Sequence, residues 1–187
     1  MGGLLLVYLM NIPNSLSLIR LLCAPLFCWL LISNHFNFAL VLFLVASLTD
    51  AADGYIAKRW KQETELGRYL DPLADKVLLM IGFITLSWIQ LLPVWLTLII
   101  VSRDIVLIGG VILSKMVAKV YVVQPLIISK VNTFLQMLLI MLVLLNSQFT
   151  ELNSVVTMHI WLTAISTVAS LWAYISRWSI ANGVNLP

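Results

Sequence analysis

The sequence predicts an all-α integral membrane protein, a bundle of six transmembrane helices with both termini cytoplasmic. Three observations predict it. Of the 187 residues, 61% are hydrophobic and only 10% charged, and a soluble domain of that length needs a polar exterior that such a composition cannot supply. The apolar residues gather into six segments, each near the roughly 20 residues that a bilayer core requires. The links that hold Lys and Arg alternate with links that hold none, which orients the bundle. A single membrane domain over residues 1–187 is expected, with no separate soluble domain. The net charge of +3 is too small and too dispersed for a nucleic-acid partner.

The opening MGGLLLVYLM is apolar without a charged lead and reads as an interfacial approach rather than a secretory signal. The first span is expected from about Ser15 to Ser33, with Pro13 just ahead of it, where proline is tolerated. The loop NHFN precedes a second span from about Phe38 to Gly54, extending towards Lys58. The polar link RWKQETELG leads to a third span, from near Arg68 to near Leu91. Pro93 opens the fourth, which ends near Met116. The fifth runs from about Leu126 to Leu145, and after NSQFTELNS the sixth runs from about Val155 to Trp178. Lys58, Arg59, Lys61 and Arg68 lie in the second link, Lys115 and Lys119 in the fourth, and Arg177 closes the last span. The remaining links hold no Lys or Arg, so the basic links and both termini face the cytoplasm. Trp95, Trp161, Trp172 and Trp178 lie near span ends, where indoles favour the interface. Cys23 and Cys28 share the first span and read as small buried hydrophobes.

Six of the eight acidic residues fall between Asp50 and Asp75. Asp50 and Asp53 are spaced i,i+3 and share a helix face at the end of the second span. Asp71 and Asp75 are spaced i,i+4 and share a face at the start of the third. A short link makes the two helices antiparallel neighbours and brings the four carboxylates to one rim. Unpaired, they would repel each other and shift towards protonation. One or two hard divalent cations resolve this, and such ions commonly share carboxylates with substrate phosphates. The plainer alternative is an ion-pair rim with Lys58, Arg59, Arg68 and Lys76. Gly54, Ala57 and Gly67, without bulky side chains, let a headgroup approach the backbone.

These residues resemble the signature of the CDP-alcohol phosphatidyltransferases, D-x2-D-G-x2-A-R-x8-G-x3-D-x3-D. Asp50, Asp53, Gly54, Ala57, Gly67, Asp71 and Asp75 match it with every spacing kept, and Lys58 stands where the family has Arg. Lysine keeps the charge but loses the bidentate fork. NIPNSLSLIR at the first span resembles the opening of both the phosphatidylglycerophosphate-forming and the cardiolipin-forming branches, while SRD at Ser102 to Asp104, ISKVNTFLQ from Ile128 and the tail TAISTVASLWAY most resemble the cardiolipin-forming branch of eukaryotic type. The resemblance covers roughly Asn11 to Arg177. It implies Mg²⁺ or Mn²⁺, two ions, held by Asp50, Asp53, Asp71 and Asp75, with Asp75 also the general base. It implies a cytidine diphosphate site lined by Gly54, Ala57 and Gly67, with Lys58 on the diphosphate. It implies CDP-diacylglycerol as donor, phosphatidylglycerol as acceptor and a homodimer, in a bacterial inner membrane or a mitochondrial inner membrane.

Arg20, Arg103 and Lys130 each lie inside an apolar span, where a cation is costly without a partner. An ion pair with the aspartates or with Asp104 is one reading. The other is an anionic acceptor headgroup, a reading the resemblance supports for Arg103 and Lys130. Phosphatidylglycerol and glycerol 3-phosphate both carry a phosphate, so a phosphatidylglycerophosphate synthase stands beside the cardiolipin reading. A divalent-cation transporter is disfavoured, because the carboxylates occupy one rim only and no inverted repeat appears. A scaffold without chemistry leaves the aspartate spacing unexplained. His35 and His159 lie away from the aspartates and are assigned no role. Gly109 and Gly110 suit close helix packing, as at a dimer interface.

Overall fold

A computed structural model describes the backbone of residues 12–60, 65–116, 127–147 and 152–181, and the side chains of residues 19–49, 76–110, 127–147 and 152–177. Among the described residues there are six α-helices: α1 (Ile12–Ile32), α2 (Phe36–Trp60), α3 (Glu65–Trp88), α4 (Val94–Met116), α5 (Ile127–Asn146) and α6 (Asn153–Ala181). No strand occurs among the described residues. Each helix satisfies its own backbone N–H and C=O groups, as an apolar chain in lipid requires. Among the described residues, α5 and the Asn153–Arg177 part of α6 are long and apolar enough to cross a membrane, and shorter apolar stretches cover Ile19–Ile32, Phe36–Thr49 and Lys76–Trp88.

The helices match the predicted segments, with one instructive difference. The polar link expected after Lys58 is helical at both its ends, since α2 continues to Trp60 and α3 already begins at Glu65. Lys, Arg, Glu and Leu are good helix formers, so leaving the apolar segment does not end the helix. The break between α1 and α2 has a definite geometry. Asn34 takes a left-handed φ of 59°, which asparagine tolerates better than most residues. The Asn34 N–H then reaches the Leu31 carbonyl at 3.1 Å and the His35 N–H the Leu30 carbonyl at 2.9 Å. This is the reciprocal pair of a Schellman cap. Gln90, with φ 63°, turns the chain beyond α3 ahead of Pro93.

The chain forms two compact units, residues 1–89 and 90–187. In the first, α1 packs against both α2 and α3. Ala24 on α1 and Ala39 and Ala46 on α2 are buried, and small side chains let helices approach closely. Phe27 stacks on Phe43 with ring centroids 5.5 Å apart. The Thr85 hydroxyl donates to Cys28 Sγ at 3.3 Å, tying α3 to α1. Cys23 and Cys28 are free thiols. Trp29 stacks on His35, and Phe38 lies tilted against the same imidazole at the α1–α2 turn.

In the second unit α6 packs against both α5 and α4. The helices α5 and α6 form an antiparallel hairpin, closed at its loop end by Asn146 Nδ2 donating to Asn153 Oδ1 at 2.9 Å. His159 Nε2 donates to the Leu135 carbonyl at 3.2 Å, so this histidine serves the hairpin's register. Gly110 admits the Tyr174 ring: a Cβ there would lie 2.7 Å from the phenol oxygen, while a Cβ at Gly109 would meet nothing within 4 Å. The close packing expected at Gly110 is therefore found within the chain, between α4 and α6.

Candidate functional site

The backbone carries the acidic motif on two helices. Asp50, Asp53, Gly54, Ala57 and Lys58 fall on the last turns of α2, and Gly67, Asp71 and Asp75 on the first turns of α3. Their side chains lie outside the described residues, as do the carboxylate cluster and the cytidine diphosphate pocket expected of them. Each aspartate pair falls within about one turn of its helix, the spacing that lets two side chains share a ligand. Four carboxylates are hard oxygen donors and fit a hard divalent cation. Among the described residues no group of three or more potential metal ligands occurs.

The three predicted acceptor cations have different surroundings. Arg20, on α1, is buried at 3% exposure. Arg103, on α4, is fully buried in the second unit. Lys130, the fourth residue of α5, lies within its expected segment and is exposed. In the first turn of a helix a long amphipathic side chain can carry its charged head away from apolar neighbours.

Arg103 is held from all three helices of its unit. Nη1 donates to Asp104 Oδ1 at 2.6 Å. Nη2 donates to Ser129 Oγ on α5 at 2.7 Å and to Ser170 Oγ on α6 at 2.6 Å. The ion pair weighed for the buried cations is thus formed, with Asp104. It does not exhaust the guanidinium, because Nε has no hydrogen-bond partner among the described residues. A buried guanidinium donor left over is a fit for an anionic oxygen, since an uncompensated polar group in an apolar interior is costly.

From Ser129 and Ser170 a seam of polar side chains runs on between α5 and α6. Asn132 Oδ1 accepts from Ser166 Oγ at 2.7 Å and from Thr167 Oγ1 at 2.9 Å. Both hydroxyls also bond back to the Thr163 carbonyl, at 3.0 and 2.7 Å. One turn further along α5, Gln136 is fully buried. Sequence reasoning assigns none of these seam residues an individual role. A signal for them does exist: residues 129, 132, 133 and 136, and residues 163, 166, 167 and 170, repeat polar side chains at helical spacing inside apolar segments.

The model of the CDP-alcohol phosphatidyltransferase family matches residues 10–172. Among curated proteins, a human cardiolipin synthase (CMP-forming) is 39% identical over 181 residues, covering 88% of this chain and 60% of that protein. A rat protein of the same name is 40% identical over 181 residues, with the same coverage. A Bacillus subtilis CDP-diacylglycerol–glycerol-3-phosphate 3-phosphatidyltransferase is 30% identical over 185 residues, covering 89% of this chain and 94% of that protein. The chain therefore spans about 60% of the length of the human and rat relatives.

Proposed function

The chain belongs to the CDP-alcohol phosphatidyltransferases, and from that premise we propose that it transfers the phosphatidyl group of CDP-diacylglycerol to phosphatidylglycerol, giving cardiolipin and CMP. The observation that carries the reaction is the signature from Asp50 to Asp75, with its spacings intact, on the adjoining ends of two consecutive helices. The choice of acceptor follows the human and rat relatives. A second reading, with glycerol 3-phosphate as acceptor, is favoured by the Bacillus relative, which this chain matches over nearly its whole length.

In this reading Asp75 accepts the proton of the acceptor hydroxyl, whose oxygen attacks the β-phosphorus of the donor. The new P–O bond forms as the bond to CMP breaks, and CMP leaves with the bridging oxygen. Asp50, Asp53, Asp71 and Asp75 would hold two divalent ions, Mg²⁺ or Mn²⁺. When bound, the ions offset the charge of the diphosphate and of the leaving group. Gly54, Ala57 and Gly67 leave room for the cytidine, and Lys58 meets the diphosphate as a point charge. Arg103 offers Nε to the acceptor phosphate, with Lys130 of the same unit adding positive charge.

The reading carries an architecture. All 187 residues form one domain. Its six helices cross the bilayer, and both termini are cytoplasmic. Large apolar side chains exposed on both units, among them Leu22, Val41, Leu98, Phe134 and Ile165, support lipid contact. The membrane is the bacterial inner membrane, or the mitochondrial inner membrane by analogy with the eukaryotic relatives, and the working form is a homodimer.

Purified protein in mixed micelles, given CDP-diacylglycerol and Mg²⁺ with either acceptor, tests the proposal by mass spectrometry of the lipid products. Cardiolipin from phosphatidylglycerol is the expected result. Phosphatidylglycerophosphate from glycerol 3-phosphate alone keeps the mechanism and overturns the acceptor. No CMP release with either acceptor, from folded protein, overturns the transferase reading.

A further inference from the structure

A long buried cation needs more than a counter-charge. It needs its direction fixed, because its several rotatable bonds otherwise let the head wander among partners. Arg103 receives its counter-charge from Asp104, the next residue of its own helix. Its direction comes from elsewhere: both Nη2 hydrogens are taken, one by Ser129 on α5 and one by Ser170 on α6. These holders are neutral, so they orient the guanidinium without cancelling charge. Each serine oxygen accepts from the guanidinium and so keeps its own hydroxyl proton to donate. Nε is the edge left over.

We infer that Ser129 and Ser170 are positioning residues for acceptor recognition: by pinning Nη2 from two helices, they aim Nε of Arg103 at the acceptor phosphate. This inference rests on the reading of Arg103 as a phosphate ligand. A buried serine with packing duty alone has no reason to meet the same nitrogen as a second serine 41 residues later on another helix. The residue type also matters. A carboxylate at either position would compete with the phosphate for the guanidinium, and an alanine would leave the head free to turn.

The test compares wild type, S129A, S170A, the double alanine variant and the double threonine variant in mixed micelles, reading KM for each substrate, kcat and melting temperature. R103Q is the reference, with R103K in its place if R103Q does not fold. The double alanine variant is expected to raise the acceptor KM about tenfold or more, the size of a lost charge-assisted hydrogen bond. The KM for CDP-diacylglycerol should stay within about twofold of wild type, and threonine should restore much of the loss. If the arginine variant raises the acceptor KM and the double alanine variant does not, the serines do not position Arg103 and the inference falls alone. If the arginine variant leaves the acceptor KM unchanged, the phosphate reading of Arg103 falls and the inference with it. A double alanine variant with lower melting temperature and unchanged KM values makes the serines structural, which also overturns the inference.

Discussion

The acidic stretch on α2 and α3 and the polar seam of the second unit both put polar groups into a greasy chain, by opposite means. The acidic residues sit at the ends of two helices, next to basic neighbours and a short link. The seam residues sit along helix middles and survive there by bonding across helices, as Asn132 does to Ser166 and Thr167. Groups at a helix end have water and ions as partners. Groups in the middle have only each other, so each unmet one costs free energy. The difference separates two kinds of sensitivity: substitutions in the acidic stretch should act on turnover, and substitutions in the seam on stability and acceptor affinity.

The strongest way to break that comparison is Asp75→Asn. The amide keeps the shape and loses the proton-accepting carboxylate, and loss of a general base typically costs about 10²- to 10⁴-fold in rate. We expect kcat to fall by at least that, with the melting temperature in micelles close to wild type. A variant that unfolds instead, with residual turnover per folded molecule unchanged, would make Asp75 structural.

Next in size is Asp104→Asn. It leaves the Arg103 guanidinium, fully buried, beside a neutral amide. Breaking one side of a buried pair typically costs about 3–5 kcal/mol. A large drop in melting temperature is expected from a residue with no assigned chemistry. An unchanged melting temperature would mean that the charge of Arg103 is balanced by something other than its neighbour.

The same contrast governs how much of the molecule is legible in its amino-acid order. The acidic stretch is legible because its information is spacing: a fixed order of aspartates and glycines survives as text, whatever the helices pack against. The six helices of the described residues, and most of their boundaries, are legible from apolar length. The seam is less so. Nothing in the sequence pairs Ser129 with Ser170, or Asn132 with Thr167, because those pairs arise only when α5 and α6 meet antiparallel at one register. Arg103 and Arg20 stand out as charges in apolar runs and are indeed buried. Lys130 stands out for the same reason and is exposed, in the first turn of its helix. The polar stretch after Lys58 shows a limit of that pattern, because a change to polar residues does not by itself end a helix.

A smaller effect is expected at Asn132. In Asn132→Leu, Ser166 and Thr167 each lose one acceptor but keep the Thr163 carbonyl. The loss should therefore be about 1 kcal/mol, in the range of interhelical hydrogen bonds measured in membranes, read as a modest fall in melting temperature. A loss of several kcal/mol would show the hydroxyls depending on Asn132 alone.

The smallest expected effect is the sharpest probe of the seam. Gln136 is fully buried, and neither its Oε1 nor its Nε2 has a hydrogen-bond partner among the described residues. A buried amide without partners costs about 1–3 kcal/mol, whereas an apolar residue of similar volume at the same place costs little. Gln136→Leu should therefore leave the melting temperature unchanged or raise it. The opposite result is equally specific. Thr163 Oγ1 and Asn132 Nδ2 are likewise without partners among the described residues, and a buried water typically makes about three hydrogen bonds. A clear fall in melting temperature on Gln136→Leu, repeated by Thr163→Val, would show that water joins these groups. The seam would then be a hydrated path running inward from Arg103, and not a set of side-chain pairs closed against the apolar interior.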